Sequence, residues 1–139
     1  MNPILRNVIA VIVGILVGSF VNISLVEVGN AVFPIEGYDM TTPEGLAGAI
    51  SQFKPINYLF PFLGHALGTL VGALLAAIIA ASHKMKIALA IGFLFLLGGI
   101  TMVVSYPGAM WFNVTDLLLA YIPMGWLSGI IATRKSQHS

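Results

Sequence analysis

Residues 58–82 read YLFPFLGHALGTLVGALLAAIIAAS, and His65 is the only residue in this run that can carry a charge near neutral pH. A helix that crosses the hydrocarbon core of a bilayer needs about 20 consecutive, mostly apolar residues. The run meets this requirement without a break. We therefore predict that residues 58–82 form a membrane-spanning helix.

Three further apolar runs are long enough for helices of the same kind, at about residues 4–33, 87–105 and 112–132. Pro123 lies inside the last run and predicts a kink there. Charged residues make up only 8% of the chain, whereas soluble domains have about 25%. The sequence therefore predicts an all-α, integral membrane four-helix bundle that forms a single transmembrane domain over residues 1–139. We expect a short turn at residues 82–86 and a mobile tail at residues 133–139.

A polar segment separates the first two predicted spans. Its residues Thr42, Pro43 and Glu44 are typical of an N-cap, a first helical position and an acid in the first turn. Apolar residues then recur at helical spacing: Leu46, Ile50 and Phe53. This pattern predicts a short amphipathic helix in the first outer loop, with its apolar face on the membrane surface.

The basic residues indicate an orientation. Only Lys54 lies in the loop that contains the short helix, and the others flank the spans on the opposite side: Arg6, Lys84, Lys86, Arg134 and Lys135. Basic residues are retained in the cytoplasm, so we predict a multi-pass protein whose N- and C-termini are both cytoplasmic. A signal peptide that begins near Arg6 is the alternative, but no A-x-A-like cleavage site follows it.

Small residues recur every four positions on two of the predicted helices: Gly64, Gly68 and Gly72 on the second, and Gly125 and Gly129 on the fourth. In lipid, helices associate through close backbone approach, which small residues at this spacing permit. We predict that these glycines pack helices within the bundle. The alternative is a seam on the second span that joins a homodimer or a larger membrane complex.

Five polar residues are expected at one depth, near the outer ends of three spans: Asn22, Glu27, His65, Thr69 and Asp116. Ionisable groups within membrane helices are expensive and are functional candidates. The sequence therefore predicts an outer-leaflet polar pocket that binds a small molecule or a lipid headgroup.

Each of these residues also has a purely structural interpretation. His65 and Asn22 can serve as hydrogen-bonding residues between helices. Glu27 can lie at the aqueous boundary. Asp116 can lie in the first turn of its helix, where the helix dipole favours an acidic side chain.

Several functional classes are excluded by what the chain lacks. It contains no cysteine, which removes disulfides and thiolate chemistry. It has no H-E-x-x-H, G-x-S-x-G or phosphate-binding glycine motif, and its few scattered basic residues do not suit nucleic acid. A metal site built from His65, Glu27 and Asp116 is the alternative, without supporting ligand spacing. We predict no catalytic residue, no metal and no cofactor.

Three stretches carry a resemblance: FPFLGHALGT at 60–69, ASHKMK at 81–86 and AYIPMGW at 120–126. They resemble an uncharacterised family of small four-span bacterial inner-membrane proteins. The resemblance implies a four-helix architecture and a bacterial inner membrane, and it implies no activity. Glu27 lies near the outer end of its span, whereas small multidrug exporters place a carboxylate deep in theirs.

We therefore expect a non-enzymatic membrane protein, either an accessory subunit or a bundle that binds a lipid or a small molecule. The alternative is a small proton-coupled transporter or channel that uses the outer-leaflet pocket, because a histidine changes its charge near neutral pH. A membrane enzyme is the third and least favoured class.

Overall fold

The computed structural model describes residues 1–139 and is all-α. Four helical segments are long enough and apolar enough to cross a membrane. The first segment is α1, and the second is a short 3-10 helix followed by α3. The third segment is α4, and the fourth is α5 followed by α6. The bounds are α1 Pro3–Val32, α2 Pro43–Ser51, the 3-10 helix Pro55–Tyr58, α3 Leu59–Ile79, α4 Lys84–Ser105, α5 Met110–Leu119 and α6 Ile122–Gln137.

Helix α3 is the centre of the arrangement, because it packs against α1, α4 and α6. Helices α4 and α6 also pack against each other, whereas α1 contacts α4 at only a few positions. The structure is therefore a three-helix group with α1 attached to one face of α3. This attachment leaves a gap between α1 and α4 that holds part of the candidate site.

The contact between α1 and α3 brings the two backbones together. A Cβ atom at Gly72 would lie 2.5 Å from the carbonyl oxygen of Gly14, and one at Gly68 would lie 2.7 Å from that of Gly18. Only residues without a side chain allow this approach, which maximises van der Waals contact between the helices.

The remaining predicted packing glycines also lie at contacts within the chain. Gly64 faces Asn22 of α1, while Gly125 and Gly129 face Ala88 and Met85 of α4. The glycine stripe of α3 is therefore covered by α1 of the same chain. It does not present the free seam on which the homodimer alternative depended.

The fourth apolar segment is broken, and the break is sharper than the predicted kink. Helix α5 ends at Leu119 and α6 begins at Ile122, with Pro123 in its first turn. Proline has no backbone N–H, and its ring clashes with the carbonyl four residues earlier, which here belongs to Leu119. Helix α6 continues to Gln137, so most of the expected tail is helical.

Cationic side chains cover the carboxyl end of α3. The Nε of Arg6 donates to the carbonyl oxygen of Ile79 at 2.6 Å. The Nζ of Lys84 donates to carbonyl oxygens of Ala77 and Ala80 at 2.8 and 2.9 Å. These carbonyls have no helical partner, and cations are favourable at this end of a helix. The turn to α4 is complete by His83, earlier than predicted.

Helix α2 has the predicted N-cap, since Thr42 Oγ1 accepts a hydrogen bond from the N–H of Gly45 at 3.0 Å. Its apolar face was expected to lie on the membrane surface, but it is directed towards a cavity inside the protein. Leu46 and Ile50, together with Phe53 beyond the helix, are half-buried and line a cavity next to α3 and α4. Helix α2 therefore covers this cavity with the face that was predicted to lie on a membrane surface.

Candidate functional site

The candidate site is centred on a contact between His65 of α3 and Asp116 of α5. His65 Nδ1 lies 2.8 and 3.0 Å from the two carboxylate oxygens of Asp116. Asp116 is only 2% exposed. A carboxylate accepts hydrogen bonds, so this geometry places a hydrogen on Nδ1 and fixes the ring orientation. Nε2 makes no hydrogen bond to the protein and is left for another partner.

Tyr121 completes the cluster. Its hydroxyl donates to Asp116 Oδ2 at 3.2 Å, and its ring stacks on His65 with the centroids 5.8 Å apart. Tyr121 was not among the residues predicted to form the site. In an unbroken helix it would lie roughly 140° around the axis from Asp116, at 100° per residue. The break before α6 turns it back toward the carboxylate, and Pro123 is the sequence signal for that break.

A cavity of about 270 Å³ lies between α1 and α4, and we call it the middle cavity. One wall is polar and comes from α1, α3 and the start of α6. The other wall comes from α4 and is apolar or without side chains. The lining residues are Ser19, Asn22, His65, Thr69, Leu94, Phe95, Gly98, Gly99, Met102 and Tyr121.

Two polar groups of the middle cavity have no partner in the protein. Neither the Ser19 hydroxyl nor the Asn22 amide makes a hydrogen bond, and Asn22 Oδ1 is buried. This oxygen faces Gly64, 2.8 Å from the position that a Cβ atom would occupy there. Thr69 differs, because its hydroxyl donates to the His65 carbonyl oxygen at 2.7 Å. Ser19 and the Asn22 amide nitrogen therefore remain available to a bound molecule.

A second cavity of about 140 Å³ lies under α2, and we call it the outer cavity. Its lining is mostly apolar, with Asn30, Asn113, His65 and Asp116 as polar members. His65 lines both cavities and is therefore situated between them.

Buried aromatic packing holds the rim of the outer cavity. Tyr58 stacks on Phe112 with the ring centroids 4.4 Å apart, and its hydroxyl accepts a hydrogen bond from the N–H of Ala109 at 2.9 Å. This contact ties the start of α3 to the start of α5. It thereby helps to place His65 opposite Asp116.

The structure brings together four of the five predicted site residues. Asn22, His65 and Thr69 line the middle cavity, and Asp116 pairs with His65. Glu27 does not join them, because it is exposed and lines neither cavity. It lies five residues after Asn22, which turns it roughly 140° around α1.

The three residues of the alternative metal site do not come together in the structure. No group of three or more histidine, cysteine, aspartate and glutamate side chains is positioned to hold a metal ion. His65 and Asp116 form a pair, and the third proposed ligand, Glu27, lines neither of the cavities that His65 borders.

No protein-family model matches the chain, and neither a curated protein nor a solved structure matches it. No residue role is therefore carried over from a relative. The interpretation of the site depends on its own geometry and chemistry.

Proposed function

We propose that this chain is a multi-pass protein of a bacterial inner membrane, with cytoplasmic N- and C-termini, that binds a small molecule or a lipid without transforming it. One observation carries the proposal. The cluster of half-buried His65 with buried Asp116 and Tyr121 borders a cavity in which Ser19 and Asn22 have no protein partner.

The surface of the helices supports the membrane location. Helix α1 exposes a long apolar stripe that includes Ile12, Leu16 and Phe20. Soluble monomers seldom expose contiguous apolar surface on this scale. The concentration of lysine and arginine at one end of the helices supports the orientation. In a membrane, lipid acyl chains would cover the part of this apolar stripe that lies beyond the lysine- and arginine-rich end of the helices.

Binding explains the polar cluster better than stability does. A buried carboxylate bonded to an imidazole is a weak source of stability, because the desolvation of both groups offsets their attraction. Unpartnered polar groups beside a cavity are satisfied most simply by water or by a ligand. Catalysis by an activated nucleophile has less support, because the Thr69 hydroxyl is committed to a backbone carbonyl and no other hydroxyl or thiol bonds to the imidazole.

Native mass spectrometry on protein extracted gently in lipid nanodiscs tests the proposal. We expect wild-type protein to retain a small molecule or lipid that Gly98→Leu loses. Gly98 has no heavy atom within 4 Å of its Cβ position, so a leucine there fills the middle cavity without a backbone clash. Ala90→Leu is the matched control, since Ala90 is an exposed residue of α4 that lines neither cavity. Equal retention by all three proteins would refute binding in this cavity.

The same spectra bear on the accessory-subunit interpretation. A second polypeptide that is retained reproducibly, with no small ligand, would favour an accessory role for the chain.

A proton-coupled transporter is the second candidate, and the position of His65 between two cavities favours it. An imidazole that contacts both could pick up a proton from one and release it to the other. Proteoliposomes with a trapped pH-sensitive dye test this possibility. Transport predicts proton flux in wild type and none in His65→Gln, and flux equal to that of empty liposomes would exclude it.

A further inference from the structure

The middle cavity is open on one side. Helices α1 and α4 make few contacts with each other, and Gly98 of α4 has open space where a side chain would be. In the proposed membrane protein this opening faces the acyl chains. A ligand can therefore enter the cavity from the bilayer, between α1 and α4.

The charges around the cavities disfavour an anionic ligand. No lysine or arginine lines either cavity. Arg6 and Lys84 instead cover the far end of α3, where their side chains bond to carbonyl oxygens. A phosphate in the middle cavity would be a buried and uncompensated charge, close to the carboxylate of Asp116. That carboxylate is already bonded to His65 and Tyr121, so a cationic ligand is not required either.

The free polar groups match a head that contains both a donor and an acceptor. With a hydrogen on Nδ1, the Nε2 of His65 accepts a hydrogen bond, for example from a hydroxyl. The amide nitrogen of Asn22 donates, for example to a carbonyl oxygen, and the hydroxyl of Ser19 can do either.

The size of the cavity limits how much of the ligand is enclosed. Its volume of about 270 Å³ is below the range of sites that enclose a whole drug-sized molecule, about 300–1,000 Å³. The polar wall holds a head, and Leu94, Phe95 and Met102 offer apolar contacts to the chain that leaves it.

We propose that the middle cavity binds the uncharged head of an amphiphile that carries a hydroxyl and a carbonyl oxygen, as in a monoacylglycerol. The head bonds to His65, Asn22 and Ser19, and the chain passes out between α1 and α4. This inference rests on the proposed function and specifies its ligand class.

Photo-crosslinking in nanodiscs tests it, with two probes that share one diazirine-labelled acyl chain. One probe is a monoacylglycerol and the other is the matching lysophosphatidate, in which one hydroxyl is esterified with a charged phosphate. We expect saturable labelling of α1 and α4 beside the cavity, at least about tenfold stronger for the neutral probe, because the phosphate would be buried without a positively charged partner. Gly98→Leu should remove this labelling and Ala90→Leu should preserve it.

The outcomes separate the inference from the proposed function. Equal labelling by both probes, blocked by Gly98→Leu, would overturn the uncharged head while leaving a binding cavity. Labelling that Gly98→Leu does not reduce would overturn the ligand class, even if native mass spectrometry still finds another ligand that this variant loses. Absence of both the labelling and any retained ligand would overturn the inference and the proposed function together.

Discussion

Replacing Gly72 by alanine is expected to separate α1 from α3. The added Cβ atom would lie 2.5 Å from the carbonyl oxygen of Gly14 and 3.0 Å from the Cα atom of Gly18. Both obstacles are backbone atoms, which cannot rotate away as a side chain can. Because ordinary contact begins at 3.4 Å, the two backbones must move apart by about 0.9 Å at this point.

The magnitude follows from two opposing effects. Overpacking of a well-packed contact costs about 1–3 kcal/mol, and replacing glycine by alanine within a helix contributes up to about 1 kcal/mol of stability. Gly98→Ala is the matched control, because its Cβ atom meets no other atom within 4 Å and only the helix propensity changes. We expect Gly98→Ala to be up to about 1 kcal/mol more stable than wild type, and Gly72→Ala to be about 1–3 kcal/mol less stable than that control.

The assay is the free energy of unfolding of each variant in the same detergent micelles, from denaturant titrations followed by circular dichroism. The difference between Gly72→Ala and Gly98→Ala isolates the α1–α3 contact, because helix propensity cancels. Agreement of the two values within about 0.5 kcal/mol, the usual range of neutral surface changes, would refute the close approach of these helices.

Three further predictions concern the site, the outer loop and the orientation. Tyr121→Phe should lower the free energy of unfolding by about 1–2 kcal/mol, because it loses the hydrogen bond to the Asp116 carboxylate. Tyr38 is exposed and makes no side-chain hydrogen bond, so Tyr38→Phe should leave the free energy of unfolding unchanged in the same denaturant titrations. Hydrogen bonds from the hydroxyl and N–H of Thr41 hold the pKa of Asp39 below its usual value. The ionised Asp39 therefore stabilises this turn above the usual pKa and loses the effect as pH falls through the lowered value. The protection factor of the Thr41 amide, which compares its exchange rate with the intrinsic rate at the same pH, should therefore fall in acid; a protection factor that does not change with pH would contradict this. A reporter that is active only in the periplasm should be inactive at the carboxyl terminus, and its activity there would refute the proposed orientation.

The sequence by itself determined the helical class and the approximate extent of the elements. Long apolar runs, the Thr42 cap and Pro123 act through nearby residues, so their effects can be predicted without knowledge of the fold. The prediction of an all-α chain with four long apolar helices is confirmed. The spacing of Gly68 and Gly72 also predicted helix contacts, and α1 is the helix that occupies them.

Only the tertiary structure decided which polar groups meet. The predicted depth was shared by Asn22 and Glu27, but the docking of α1 brings only Asn22 to the cavity. Helix periodicity separated Tyr121 from Asp116, and the break before α6 joins them. The gap between α1 and α4 had no local signal at all. A site formed by several helices depends on how each helix is rotated and where it breaks, and those angles are set by contacts between residues far apart in the chain.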